Sequence, residues 1–297
     1  MKTIHSILLL CVFSSLFACT AKKENTAVAT SQKAIGLQLY SLRDAINDKS
    51  VGIDSVIKAV GQMGYKYVET AGYGNGKIYG FSPEDFKSKV EAAGMFALSC
   101  HVRKEMNPKM DSVWIWWDQC INAHKAAGMK YIVMSSMPKP TDLKQLQAYC
   151  DYYNQIGEKC NAAGLQFGYH NHHEEFEVKL PTGKAANDSI SWYDYMVQNT
   201  DPSKVFFELD VYWCQVGGRL ATGLFKQYPG RFALLHIKDD KELGASGYMN
   251  FEDIFNNIDP ATKYLIVEVE RYNVQPSVKA SLDFLNEAPF VKEDYSK

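Results

Sequence analysis

Four separated stretches of the chain carry the residues best suited to chemistry: Gly168-Tyr169-His170-Asn171-His172, Glu208-Leu209-Asp210, His236-Ile237-Lys238-Asp239 and Glu268-Val269-Glu270. Each closes an apolar run, as expected where a β-strand gives way to a loop. Imidazoles and carboxylates delivered side by side at strand ends are the parts of a divalent-metal site. His170, Asp210, His236 and Glu268 supply two nitrogens and two carboxylates. That mixture suits one Mn²⁺, Zn²⁺, Co²⁺ or Fe²⁺ ion better than Ca²⁺, with Mg²⁺ kept open. Any one of the four taken singly reads as a strand cap or an ion pair; four at matched strand ends point to a shared ion.

Other groups join them by position. Lys238 shares the parity of His236 and His172 that of His170, so these two and Glu268 are the candidate bases. Glu69 ends the second strand, His101 ends the third, and Trp213 follows Asp210 by three residues. These three share the rim, and the Trp213 indole is placed to form an apolar floor for a sugar ring. Their structural alternatives are a barrel-mouth ion pair, a core histidine and helix packing. His173, Glu174 and Glu175 read as a solvated loop, and Lys241 to Asn250, with Gly244 and Gly247, as either a mobile lid or a plain loop.

A regular frame must hold these groups. The first strand is read over Ile35 to Tyr40, and Ser50 is expected to cap a helix on which Ile53, Val56, Ile57, Val60 and Met63 recur at helical spacing. Gly64, Gly94, Gly128 and Gly164 each end a helix and open a β-rich apolar run. Ser82, Pro83 and Asp85 form a helix start, and Leu143, Leu146, Cys150, Tyr153, Gly157 and Cys160 a buried helical stripe. Strands are read at Val205 to Phe207, Phe232 to Leu235 and Tyr264 to Val267, with helices around 220–228, 251–257 and 278–285. Eight strands alternating with helices predict a closed (β/α)8 barrel, whose strand ends converge on one face. No Gly-rich dinucleotide fingerprint follows a strand, which removes the anchor of a Rossmann reading.

The 297 residues, 46% hydrophobic, suffice for one large core, and a net charge of −2 without a basic cluster argues against a nucleic-acid partner. The better expected partner is a small neutral or polar ligand. Cys100, Cys120, Cys150, Cys160 and Cys214 are an odd set without paired spacing, hence buried thiols rather than disulfides or a zinc cage. At the N-terminus Lys2 precedes an apolar stretch from Ile7 to Phe17, too short to span a bilayer, followed by Ala18-Cys19. We read residues 1–19 as a lipoprotein signal with Cys19 lipidated, 20–33 as a flexible tether and 34–297 as the barrel. The protein is thus expected in the periplasmic envelope, touching membrane only through its lipid; a soluble periplasmic product is the alternative.

Taken together, Gly-Leu-Gln-Leu-Tyr-Ser-Leu-Arg at 36–43, Gly-Tyr-His-Asn-His at 168–172, Glu-Leu-Asp-Val-Tyr-Trp at 208–213, Leu-His-Ile-Lys-Asp at 235–239 and Val-Glu at 267–268 resemble the sugar phosphate isomerase/epimerase superfamily of xylose isomerase-like TIM barrels. The resemblance runs from Ile35 to Phe290. It implies a divalent metal at the ends of strands five to eight and a base that removes a proton next to a sugar carbonyl. In the epimerases, glutamates on strands five and eight transfer protons on opposite faces of the sugar; Glu268 matches the second, but the first position reads His170. This departure favours one-faced deprotonation, as in the relatives that act on 3-keto-glycosides: a 1,2-lyase, or the matching hydratase of the unsaturated sugar. A partner sugar oxidoreductase would then make the ketone. The other readings are a ketose or aldose isomerase or epimerase, a non-catalytic sugar-binding lipoprotein, and an endonuclease, the last disfavoured by charge.

Overall fold

Eight parallel strands close on themselves: β1 (Gly36–Gln38), β2 (Tyr67–Thr70), β3 (Phe96–Val102), β4 (Tyr131–Met134), β5 (Gln166–His170), β6 (Val205–Asp210), β7 (Leu234–Ile237) and β8 (Tyr264–Val267) pair in chain order, and β8 returns to β1. A helix follows each strand: α1 (Gly52–Met63), α2 (Pro83–Ala92), α3 (Asp111–Ala126), α4 (Leu143–Ala163), α5 (Trp192–Asn199), α6 (Ala221–Gln227), α7 (Phe251–Asn256) and α8 (Val274–Glu287). This computed structural model describes residues 32–185, 188–270 and 274–297. The signal, Cys19 and all of the tether up to residue 31 lie outside the described residues. Lys33, the last residue read as tether, is instead seated on the end of α8, donating from Nζ to the carbonyls of Leu285, at 2.8 Å, and Ala288.

The helix ends follow local chemistry. Ser82 Oγ accepts from the Asp85 N–H at 3.2 Å and donates to its carboxylate, and Gly64, Gly94, Gly128 and Gly164 all take positive φ. Ser50 does not cap α1: its hydroxyl and N–H both turn back to Asp48, and α1 starts beyond it without a side-chain cap. The five cysteines are free and buried. Two short hairpins, Tyr73–Gly74 with Lys77–Ile78 and Lys179–Pro181 with Ser189–Ser191, and helix α5 lay outside the sequence reading, their segments being short and weakly periodic.

Alternation along each strand sorts the barrel interior into layers. The lower layer is apolar: Tyr67, Leu98, Tyr131, Phe206, Leu234 and Tyr264 pack against one another, with Tyr67 edge-on to Tyr264 at 5.2 Å and Tyr131 edge-on to Phe206 at 5.3 Å. Two inward glycines make room for it. A Cβ on Gly168 would lie 2.5 Å from the Phe206 ring, and one on Gly36 2.2 Å from the Tyr67 ring. We expect Gly168→Ala to lower stability by about 1–3 kcal/mol through overpacking, measured by urea unfolding. Adding Phe206→Leu should restore part of the loss; a strictly additive double mutant would refute steric conflict as the cause.

Candidate metal centre at the barrel mouth

Above the apolar layer the same inward parity carries polar groups. Register sets Glu208 beside His170 and Asp210 beside His236, so β6 alone sends two carboxylates inward at two heights. His170, Asp210, His236 and Glu268 are all buried, and each offers a ligand atom within 4.8 Å of the others. The four residues expected from sequence to share an ion are thus brought together. His101, His170, Glu208 and His236 meet the same criterion. Glu208 joins the cluster beyond the four expected residues, and its parity with Asp210 in Glu208-Leu209-Asp210 is the sequence signal for it.

Glu69 and His101 do not stand apart as a sugar rim. Glu69 Oε1 accepts from Gln38 Nε2 at 2.7 Å and lies 2.7 Å from His236 Nε2 and 3.0 Å from His101 Nε2. His101 Nε2 also lies 2.6 Å from Glu208 Oε2. With its Nε2 facing these carboxylates, His236 turns Nδ1 toward Glu268, 3.3 Å away. Carboxylates thus face both ring nitrogens and, against burial, raise His236 well above the usual imidazole range, so an ion bound there would take the place of one ring proton. Burial alone would raise Glu69, but His101 and His236 outweigh it and hold it well below the usual carboxylate range. Burial and the Glu69 charge push Glu208 up to about 7.

Lys238 occupies the opposite flank. Its Nζ lies 3.1 Å from Glu268, 3.0 Å from Glu270 and 3.8 Å from Asp210, and 4.8 Å from the Trp213 ring centre. Burial acts against the ammonium, yet the three carboxyl groups raise its pKa above the ordinary lysine value. Glu268 is held well below its usual range by Lys238 and His236 against the effect of burial, whereas burial and the Glu268 charge raise Glu270.

The donor set fits a divalent ion. Among the described residues, neither ring nitrogen of His170 nor Oδ2 of Asp210 has a hydrogen-bond partner, although all are buried, and such orphaned atoms are costly. Burial and the neighbouring His236 and His101 hold His170 well below the usual range, in the neutral form whose lone pair binds metal. Among the described residues, five carboxyl groups, Glu69, Glu208, Asp210, Glu268 and Glu270, gather around three basic side chains, His101, His236 and Lys238. A bound cation would supply the missing charge.

A cavity of about 450 Å³ opens onto this cluster, walled in part by His101, His170, His172, Glu268 and Glu270. Asp210, His236, Lys238 and Glu69 are buried behind these walls. Trp213 does not reach the cavity; Lys238 lies over its ring and His173 against it at 5.4 Å. Tyr40, Tyr73, Arg103, Ser135 and Ser136, from the segments after β1 to β4, and Trp116, from α3, line the rest of the wall with Ala71 and Val102, and their segments carry no run of imidazoles and carboxylates to mark them in the sequence. The segment Lys241 to Asn250 is tied down: Asp239 accepts from the N–H groups of Asp240 and Gly244 and from the Ser246 hydroxyl.

Glu175, read as solvated loop, is in fact buried beside the site. It accepts from Tyr169 Oη at 2.8 Å and from the His172 N–H at 3.0 Å, and burial pushes it up to about 7. The folded chain therefore binds a proton there that an unfolded glutamate releases near 4.5, so stability falls as pH rises between these values and levels off above them. We expect this group to contribute a decline of at most about 3 kcal/mol, lost in Glu175→Gln. Identical slopes of unfolding free energy against pH in the two proteins would reject the assignment.

A closed parallel barrel with imidazoles and carboxylates gathered at the C-terminal ends of β5–β8 is the framework of a sugar isomerase-like TIM barrel that can hold a metal ion. The chain belongs to the xylose isomerase-like TIM barrel family, whose model matches residues 57–288. Two sugar phosphate isomerase/epimerase structures from Parabacteroides distasonis are similar to it. One is 34% identical, with TM-score 0.80 over 88% of this chain and 100% of that one; the other is 28% identical, with TM-score 0.80 over 91% and 99%. A D-allulose 3-epimerase from Methylomonas sp., solved with D-allulose, shares the fold at 11% identity and TM-score 0.63, over 86% of this chain and 97% of its own. No curated protein matches the sequence.

Proposed function

We propose that this protein is a divalent-metal-dependent enzyme that removes the proton α to a sugar carbonyl and eliminates the substituent at C1, a 3-keto-glycoside 1,2-lyase, or runs the matching hydration. The observation that carries this reading is the pair Glu268 and Glu270. Both line the cavity from one strand end, both contact Lys238, and their acidities are driven apart, Glu268 downward and Glu270 upward. Carboxyl groups separated in this way divide the roles of base and acid. Lying together, they suit proton transfer on one face of a sugar ring, whereas epimerisation needs donors on both.

A ketone at C3 acidifies the C2 hydrogen. Glu268 takes that proton, the C2–H electron pair becomes the C1=C2 double bond, the C1–O bond breaks with its pair going to the leaving oxygen, and Glu270 delivers a proton to that oxygen. Lys238 is a positioning residue: it keeps Glu268 ionised and lies too deep to meet the sugar. A cation held by His170, Asp210, His236 and Glu268 would stabilise the oxyanion that develops as the C2 proton leaves. His101 contacts the sugar, with Glu69 fixing the imidazoles behind it. His172, lowered to about 3 chiefly by burial, is too weak to hold a proton for return from the other side.

Our proposal includes export and lipidation at Cys19. An envelope enzyme meets intact glycosides, while phosphorylated sugars stay in the cytoplasm, and a sugar oxidoreductase would supply the ketone. The second reading, a sugar isomerase or epimerase, is favoured by the P. distasonis relatives, whose structures are described as sugar phosphate isomerase/epimerases.

The test uses methyl 3-keto-β-glucoside in heavy water with Mn²⁺. We expect C2 exchange, released methanol and an unsaturated keto sugar, all lost on chelation and in Glu268→Gln. Glu270→Gln should keep exchange and slow methanol release by about 100-fold. A new stereoisomer with the methyl group retained would establish the second reading instead, and undiminished exchange in metal-free protein would reject the metal.

A further inference from the structure

The cavity has two unlike halves. β5 to β8 supply the imidazoles and carboxylates; β1 to β4 supply Tyr40, Tyr73, Trp116, Arg103, Ser135 and Ser136. The elimination proposed above needs only the first half, so the second has no assigned role. Its aromatic groups are built in: Tyr73 meets Trp116 edge-on at 5.5 Å and rests on the buried His124 at 4.9 Å. Its polar groups are free to act on a ligand. Among the described residues neither the Arg103 guanidinium nor the Ser136 hydroxyl has a hydrogen bond or ion pair.

Barrel closure brings the two halves together. β8 pairs with β1, and Arg43, whose guanidinium lies over the Tyr40 ring at 4.6 Å, donates to the Glu270 carbonyl at 3.3 Å. The aromatic wall therefore begins beside Glu270, the group assigned to protonate the leaving oxygen. Whatever that oxygen carries extends over β1 to β4.

We propose that this half is a binding subsite for a ring-bearing leaving group: a six-membered ring with an apolar face and acceptor oxygens, from a phenol or a second hexose. Aromatic side chains take the ring face, while Arg103 and Ser136 donate to its oxygens. A cavity of about 450 Å³ is of a size that encloses ligands larger than one monosaccharide. The inference rests on the elimination reading for the direction of the leaving group, but its test needs no turnover.

The experiment is calorimetric titration of the Mn²⁺-loaded protein with unoxidised, unreactive probes: methyl β-glucopyranoside, 4-nitrophenyl β-glucopyranoside, cellobiose and glucose 1-phosphate. We expect the nitrophenyl glucoside, cellobiose or both to bind at least 10-fold tighter than the methyl glucoside, and which of them gains names the ring. Trp116→Ala and Arg103→Gln should each erase most of that gain while metal content and melting temperature hold. Tyr40→Ala, at a side chain 44% exposed, gives a variant whose fold is safe. Equal affinities, a gain that survives all three substitutions, or tightest binding by glucose 1-phosphate would overturn the subsite. A ring preference without elimination of the keto-glycoside would reject the reaction and keep the subsite.

Discussion

Replacing Asp210 by asparagine will weaken Mn²⁺ binding by more than about 100-fold, beyond the 10–100-fold that loss of an outer hydrogen-bond partner costs. Asp210 divides its work between two oxygens. Oδ1 caps the N–H of Trp213 at 2.8 Å, which an amide oxygen can continue to do, while Oδ2, 3.5 Å from His170 Nε2 and 3.8 Å from Lys238 Nζ, has no hydrogen bond among the described residues and is the atom left for a cation. The substitution therefore removes charge and little else. Burial raises the Asp210 carboxyl in the metal-free protein, so the variant should fold as well as the parent without metal. Titration calorimetry with Mn²⁺ and unfolding in chelator test both halves. Unchanged affinity would remove Asp210 from the ligand set, and collapse of the metal-free variant would show that its charge serves the fold.

Lys238→Met should produce the second large effect, with opposite signs in two measurements. The ammonium is a cation already present among Glu268, Glu270 and Asp210, at 3.1, 3.0 and 3.8 Å. Removing one partner of a buried ion pair leaves the other uncompensated, which costs about 3–5 kcal/mol in metal-free protein. The same removal lifts a repulsion that an incoming divalent ion must overcome, so Mn²⁺ affinity should rise and saturating Mn²⁺ should recover much of the lost stability. Urea unfolding with and without Mn²⁺ reads this directly. A loss of stability that metal does not reduce, with unaltered affinity, would mean that the ammonium and the ion do not compete for these carboxylates.

The barrel was legible because glycine-terminated helices and apolar strands alternate at a steady interval, and because parity carries side chains to one side of a strand. The same rule found His170, Asp210, His236 and Glu268 from four distant segments. Parity also points to Glu208, whose partner groups on β2 and β3 are set by barrel closure and are invisible in any local window. Trp213 was placed one layer too near the ligand, since nothing in its own segment reveals that Lys238 would cover its ring. Glu175 looked solvated because its neighbours are charged; the short helix Glu174–Glu177 turns it back under Tyr169. The aromatic wall came from loops and from helix α3, where Trp114, Trp116 and Trp117 read equally as packing.

The apolar layer of Tyr67, Tyr131, Phe206, Leu234 and Tyr264 leaves the molecule a vessel with a stopper at its base. Under the proposed elimination, reactant and both products would share the one mouth seen among the described residues, and the fragment lodged nearest His170 and Glu268 would be the last to depart. Release would then be ordered: the alcohol or phenol first, the unsaturated sugar second. With the ketone as varied reactant, the sugar product should inhibit competitively and the alcohol noncompetitively, a kinetic signature written by packing alone.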